Sequence, residues 1–231
     1  MIAALARPPI ARLVRAPRAL VGVGGWALLA VAFALTARSR GSAHGADHAL
    51  VGAYGALVLP LLVYALVGAV LGGAARSLGG STAPVVAFGA SPARAAAITV
   101  GVAALASALA GGVLAAVVSV VAHGAGDPPL LVDALASAYA GALGGAAYAA
   151  WFSLGSAIGR RGGGRVVLLV VDWVLGAGAG AVSLVTPRAH ARNLLGGTPP
   201  MGWSGRASTV AIVVLALACA ALAVWRTRRP R

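Results

Sequence analysis

The chain has 231 residues, of which 60% are hydrophobic and only 10% are charged. Soluble domains carry about 25% charged residues, so this composition excludes an ordinary soluble domain and indicates an integral membrane protein. All 18 basic residues are arginine. Without a lysine the chain has no P-loop for nucleotide phosphates, so we expect it not to be an ATP-hydrolysing enzyme by itself.

The N-terminal segment, residues 1–18, is interpreted as a cytoplasmic amphipathic stretch. Within it, Pro9–Arg18 predicts a short helix with Ile10 among the apolar residues on one side, and Arg12 and Arg15 on the other. Such a helix suits the headgroup region of a bilayer.

Six apolar blocks are long enough, or nearly so, to cross a bilayer as helices, which takes about 20 residues. They cover 19–37, 49–71, 95–122, 134–158, 166–186 and 207–225. Only one of the 12 prolines, Pro60, lies inside a block. Proline breaks helix interiors, so its placement supports these boundaries. The predicted fold is all-α: one polytopic domain over residues 19–225 with six transmembrane helices.

The arginines between the blocks predict the orientation. With a cytoplasmic N-terminus, the inside segments hold 13 arginines and the outside loops hold 5. This bias follows the positive-inside rule and places both termini in the cytoplasm, including the basic tail 226–231. Alternatively, the first block is a signal peptide cleaved near Ala32–Ala34, although its apolar stretch is longer than usual. Lysine avoidance with abundant alanine and glycine favours a bacterial source, and hence the inner membrane.

The largest cytoplasmic loop contains a short apolar stretch, Thr82–Ala90, that we interpret as an interfacial helix. Its large apolar residues are Val85, Val86 and Phe88. Ser91 and Pro92 follow it, and they predict the N-cap and first turn of the third span.

One motif points to a serine hydrolase. Gly202–Gly205 matches the GxSG pattern of rhomboid-type intramembrane serine proteases. In those enzymes the catalytic histidine lies in a later span, and no histidine follows Ser204 here. A serine without a base is not activated, so we interpret Ser204 as a loop residue.

The four histidines lie in the predicted outside loops. His44, Asp47 and His48 share a face if they are helical, and His123 and His190 could join them at a metal ion. Metal sites need three or four oriented ligands, and only His44 and His48 are close in sequence. We therefore interpret them as interfacial residues, expect no cofactor, and leave metal binding open.

Glycine pairs at GxxxG spacing occur six times, including Gly141 with Gly145. With 33 glycines, chance alone produces about five such pairs. The motif therefore does not indicate dimerisation, although small residues permit close helix packing.

Asp172 is the one acidic residue inside an apolar block. A charge at the bilayer centre costs about 2.5–3.5 kcal/mol on insertion scales, so its side chain is expected to face protein or water. Arg165 lies seven residues earlier on the same helix face. Asp172 is either an interhelical contact or a candidate for the substrate pathway or its coupling.

The predicted layout resembles that of type-2 ABC transporter permeases. The shared features are six spans, two cytoplasmic termini, an N-terminal interfacial helix and a short helix before span three. The segment Val85–Arg94 is similar to that family's apolar, small, Ser-Pro and basic entry into span three. Two further segments are similar to the corresponding parts of that family. They are the end of span four, which runs into Gly159–Gly162, and the segment 186–197 before the last span.

The resemblance implies the permease subunit of an ATP-driven exporter, a dimer with itself or with a homologous permease. It implies that a separate ABC ATPase docks on the short helix. It also implies that the chain lies in the lipid bilayer and does not bind nucleic acid. The implied docking residues are Val85, Val86, Phe88, Ser91 and Arg94. The segment 76–94 also resembles lipopolysaccharide-export permeases, whose β-domain is replaced here by about eleven residues after span three. The competing interpretation is a non-transporting assembly or scaffold protein.

Overall fold

The computed structural model describes residues 2–41, 43–73, 76–159 and 161–228, apart from the side chain of Arg18. Arg160 and the last three residues of the predicted basic tail therefore lie outside the described residues. The described chain is helical and contains no β-strand, which confirms the all-α class.

The α-helices are α1 (Ile2–Val14), α2 (Pro17–Ser39), α3 (Gly45–His48), α4 (Leu59–Leu71), α5 (Leu78–Ala87), α6 (Pro92–Ala122), α7 (Leu130–Ser156), α8 (Gly164–Leu175), α9 (Pro187–Leu194) and α10 (Gly205–Arg226). A π-helix, Ala49–Val58, joins α3 to α4. Short 3-10 helices, Ala181–Val185 and Pro200–Gly202, lie on either side of α9.

Five helical stretches in the described chain are long and apolar enough to cross a membrane. They are Ala19–Ser39, Gly45–Leu71, Pro92–Ala122, Leu130–Ser156 and Gly205–Arg226. These stretches coincide with the first, second, third, fourth and sixth predicted blocks, and their ends differ by a few residues. The described helices are therefore compatible with a multi-pass membrane protein.

The fifth predicted block, 166–186, does not form one continuous helix. Its helical part, α8, has 12 residues and ends at Leu175. A helix of this length is about 18 Å long, well short of the bilayer core of about 30 Å. The break follows from Gly176, Gly178 and Gly180, since glycine is the poorest helix former after proline. The prediction of a continuous fifth span was wrong.

Prolines explain two local departures from the predicted elements. The N-terminal helix covers Ile2–Val14 rather than Pro9–Arg18. It ends before Arg18 because Pro17 occupies the first turn of α2 and starts a new helix there, and it begins earlier than predicted, with Pro8 and Pro9 inside it. Pro60 lies in the first turn of α4, directly after the π-helix. A residue without an N–H cannot continue the preceding hydrogen-bond ladder, and the wider π-turns accommodate that change.

Residues near both ends of the chain meet at one end of the bundle, here called the proximal end. Arg12 Nη2 donates to Ser81 O at 2.9 Å, which joins α1 to α5. A Cβ on Gly72, at the end of α4, would lie 3.2 Å from Arg12 Cδ. Trp225, near the end of α10, and Ala97, at the start of α6, line the same groove of about 620 Å³.

The opposite end of the bundle, the distal end, holds the loops after α2 and α6. There Ala46 N donates to Asp127 Oδ2 at 3.0 Å. The segment after α7 runs from one end to the other: Arg165 donates to the end of α4 at the proximal end. Gly196 reaches the distal end, where its Cβ position is 2.9 Å from Asp47 Oδ1. This segment covers the length of the bundle as α8, a 3-10 helix and α9.

Glycines bring α6 and α7 together near the middle of the bundle. A Cβ on Gly111 would lie 2.6 Å from Gly141 O, and a Cβ on Gly141 would lie 2.5 Å from Gly111 O. A Cβ on Gly145 would overlap the Ser107 carbonyl. The Gly141 and Gly145 pair therefore serves packing within the chain.

Candidate functional site

The short helix predicted before span three is present, but its boundaries differ from the prediction. It is α5, Leu78–Ala87, rather than Thr82–Ala90. Ser77 explains the earlier start, because its Oγ accepts a hydrogen bond from Gly80 N at 3.1 Å and so caps the first turn. Gly80 therefore lies inside the helix.

The first half of α5 and the residues just before it are held by two other parts of the chain. Leu78, Ser81 and Thr82 are buried. Arg12 of α1 binds the Ser81 carbonyl. The loop after α7 packs against the residues before α5, where a Cβ on Gly162 would lie 2.7 Å from Arg76 O. Because these contacts come from distant segments, the position of α5 is set by the tertiary structure.

The second half of α5 projects from the bundle. Val85 and Val86 are half-buried, whereas Phe88 is 93% exposed. Ser91 occupies the N-cap position of α6, as predicted, but its side chain makes no capping hydrogen bond. Arg94 is exposed in the first turn of α6. The structure therefore places the five predicted docking residues along one short segment, and Phe88 is the most exposed of its three apolar members.

Asp172 lies in a buried polar cluster between α7, α8 and α9. Its side chain is 0% exposed. Tyr148 Oη donates to Asp172 Oδ2 at 2.8 Å, and Arg188 N donates to Oδ1 at 3.1 Å. Arg188 is in the first turn of α9, whose N-cap residue Thr186 makes no capping hydrogen bond. Asp172 therefore supplies, from another helix, the acceptor that this helix end requires.

Arg165, at the start of α8, is fully buried and binds partners different from those of Asp172. Its Nη2 donates to Gly73 O at 3.3 Å, and its guanidinium lies 5.5 Å from the centre of the Tyr64 ring. Arg165 and Asp172, which share a face of α8, therefore bind two separate sets of partners. The partners Tyr148 and Tyr64 were not identified from the sequence, because an isolated tyrosine in an apolar run has no local signal.

A second polar cluster fixes α9 to α10. His190 is buried, with Nε2 2.9 Å from Leu184 O and Nδ1 3.3 Å from Ser208 Oγ. Asn193 Nδ2 donates to the same Ser208 Oγ at 2.8 Å. Ser204 instead caps α10 by accepting from the backbone N–H three residues later. Its observed role agrees with its interpretation as a loop residue.

The acidic residues of the distal end fix the loop after α6 and join the end of α6 to the start of α7. Asp127 Oδ2 accepts from Gly124 N at 2.8 Å, and Asp133 Oδ2 accepts from Ser119 Oγ at 2.7 Å. His123 Nδ1 lies 3.9 Å from the same Asp133 oxygen. Across the described residues, no three or more His, Cys, Asp or Glu side chains form a group that could hold a metal ion.

Comparisons with family models, with curated proteins and with solved structures find no match for this chain. Any function therefore has to follow from the side chains that the fold exposes and buries. The two features that stand out are the projecting end of α5 and the broken segment that contains α8 and α9.

Proposed function

We propose that this chain is the transmembrane permease subunit of an ATP-driven ABC exporter, coupled through α5 to a separate ATPase subunit. The observation that carries the proposal is Phe88, 93% exposed at the end of a helix whose first half is held in the bundle. Exposing a large apolar side chain to water forgoes about 1.5–3 kcal/mol of burial free energy. A pocket on a partner protein removes that cost.

The contacts of α5 support a docking role. Its first half is fixed to α1 by the Arg12–Ser81 hydrogen bond, so a force on Phe88 is passed to the bundle rather than absorbed by a loose loop. The chain lacks lysine and so supplies no P-loop, which means that ATP hydrolysis has to come from a partner.

The broken segment supports a pathway between two permease copies. On α8, Val166, Val170 and Val174 are exposed, and the non-helical residues 177–180 that follow are exposed as well. Non-helical backbone at membrane depth is tolerated only where protein covers it or where it lines a water-filled cavity. A second copy, or a homologous permease, covers this face in our proposal, and the substrate pathway lies between the two.

In the proposed topology the segment 164–204 makes the fifth of six crossings, in broken form, and α10 makes the sixth. It starts at the proximal end and returns to the distal end, so α10 can lead the chain back beside α6. Both termini then lie on the cytoplasmic side of an inner membrane, together with most arginines.

The test is a comparison of Phe88→Ala with Phe33→Ala. The control removes the same side chain from α2, where Phe33 is 42% exposed and distant in sequence from α5. Tagged protein is purified from membranes of its native host, and the amount of ABC ATPase bound per permease is measured. A side chain anchored in a partner's pocket contributes 2 kcal/mol or more, which corresponds to about a 30-fold loss of affinity for Phe88→Ala.

We expect wild type and Phe33→Ala to bind the ATPase equally, and Phe88→Ala to lose it while staying in the membrane at normal level. Unchanged ATPase binding by Phe88→Ala would show that Phe88 is only an interfacial anchor. If wild type brings down no ABC ATPase at all, the exporter proposal fails and the scaffold or assembly alternative takes its place.

A further inference from the structure

A cavity of about 850 Å³ opens at the proximal end, between the α1–α2 corner and α4. Its walls are formed largely by small residues, so the space is wide and apolar. On α4 these are Ala65, Gly68 and Ala69, and at the corner they include Ala16 and Ala19. Tyr64 also lines the cavity.

Arginine residues lie at one side of this apolar space. Arg12 and Arg15 line it directly. Arg76 Nη1 lies 3.5 Å from the Cβ position of Gly72, another lining residue. Burial, and next the charge of Arg76, lower the pKa of Arg12. The cations are thus crowded together where a bound anion would relieve their repulsion.

The acidic side chains of the chain do not neutralise this cluster. There are four, all of them described: Asp47, Asp127, Asp133 and Asp172. The first three belong to the distal end, and Asp172 binds Tyr148 and the first turn of α9. Positive charge beside an apolar cavity is therefore left for a ligand.

We propose that this cavity binds an anionic phospholipid from the leaflet at the proximal end. The phosphate lies at Arg12 and Arg15, and the acyl chains follow the small-residue wall formed by Ala65 and Ala69. Basic pockets on the cytoplasmic side of membrane helices bind such head groups, and guanidinium pairs phosphate through two hydrogen bonds. The size and apolar walls of the cavity fit a lipid better than a free phosphate ion. This site does not depend on an ATPase docking at α5.

The experiment uses full-length protein in detergent and native mass spectrometry, with phosphatidylglycerol and phosphatidylcholine of identical acyl chains. The variant Arg12→Gln/Arg15→Gln removes the two cavity arginines. The matched control Arg7→Gln/Arg226→Gln removes two exposed arginines outside the cavity lining. Each basic residue near an anionic lipid surface contributes about fivefold, so the cavity variant is expected to bind phosphatidylglycerol about 30-fold more weakly.

A steric variant separates lipid binding from a general loss of charge. Ala65→Leu fills the apolar wall without changing any charge, and it is expected to reduce phosphatidylglycerol retention while the melting temperature without lipid stays near wild type. If the double arginine variant fails to fold, Ala65→Leu alone tests whether the cavity binds lipid.

The proposal holds if wild type and the control retain phosphatidylglycerol over phosphatidylcholine, and both cavity variants lose that preference. Equal retention of the two lipids by wild type would overturn it. So would an equal loss in the Arg7→Gln/Arg226→Gln control, because the effect would then be one of overall charge. Displacement of the lipid by millimolar inorganic phosphate would assign the cavity to a soluble anion instead.

Discussion

Asp172 belongs to the segment that departs most from a regular span, and its two carboxylate oxygens join three helices. One oxygen accepts from Tyr148 on α7 and the other accepts from the first turn of α9. A carboxylate at a helix N-terminus is favourable because it meets unpaired N–H groups and the positive end of the helix dipole. These contacts support a positioning role, and a role in the substrate pathway stays a prediction.

The hydrogen bond from Tyr148 can be tested separately. Tyr148→Phe is expected to lower the free energy of unfolding in detergent by about 0.6 kcal/mol, the average for hydrogen bonds between membrane helices, and by no more than about 1.7 kcal/mol. Tyr139→Phe is the matched control, since Tyr139 is on the same helix and 54% exposed. Equal effects of the two variants would show that the Asp172–Tyr148 bond contributes nothing to stability.

Changes at Asp172 itself distinguish structure from transport. Asp172→Ala leaves the Tyr148 hydroxyl and the Arg188 amide without their acceptor, at a cost of about 1–3 kcal/mol for each unsatisfied group. Asp172→Asn keeps one acceptor oxygen and is expected to insert and assemble nearly normally, with transport little changed. A variant Asp172→Asn that assembles fully but does not transport would instead assign the carboxylate to the pathway or its coupling.

Ser204 provides a test of the hydrolase motif. Because Ser204 Oγ caps α10, Ser204→Ala is expected to lower stability by about 1 kcal/mol, and Ser204→Asp is expected to restore most of it. A fluorophosphonate probe, which labels activated serines, is expected to leave the protein unlabelled. Labelling that disappears in Ser204→Ala would contradict the capping assignment.

At the scale of helices, the close pairing of α6 and α7 depends on glycine. Gly141 and Gly145 have the spacing of a dimerisation motif, yet the structure places both against α6 of the same chain. This agrees with the sequence statistics, which gave the spacing no value as a dimer signal. It also confirms that small residues here permit close packing.

Adding one methyl group to this interface tests it. Gly145→Ala is expected to destabilise the protein by about 1–3 kcal/mol, because its Cβ would overlap the Ser107 carbonyl and the helices would have to separate. Gly101→Ala is the control on α6, where a Cβ meets nothing within 4 Å. There the higher helix propensity of alanine is expected to stabilise by up to about 1 kcal/mol. Unfolding in detergent measures both, and equal effects would contradict the packing.

At the scale of the whole molecule, the structure brings residues near both ends of the described chain to the proximal end, and the proposed membrane orientation follows from the arginine bias. Cysteine labelling tests it, since the native Cys219 is buried. Ala125→Cys, in the distal loop after α6, is expected to react in intact cells. Gly163→Cys, in the proximal loop after α7, is expected to react only after permeabilisation, as is a tag at the C-terminus.

The opposite labelling pattern would invert the proposed orientation. Reaction of both sites in intact cells would show that the segment 164–204 does not carry the chain across the membrane. In that case the five long helices would leave the two termini on different sides, and the cytoplasmic docking of α5 would need a different topology.

Much of the architecture could be predicted from the sequence because the length of an apolar run is a local property. Five of the six blocks became helices long enough to cross a membrane, and the start of α6 followed from Ser91 and Pro92. The same local rules failed for the fifth block, because average hydropathy does not register three glycines at alternate positions. Asp172 stood out because it is the one acidic residue inside an apolar block.

Only the tertiary structure decided what these features contact. The acceptor needed by α9 comes from Asp172, 16 residues away, and the first half of α5 is held by Arg12, 69 residues before Ser81. The cavity exists because small residues of the α1–α2 corner face small residues of α4, two segments that are distant in sequence, and arginines lie beside them. Such partners depend on how helices cross, and helix crossing is set by side-chain packing along whole elements rather than by any local pattern.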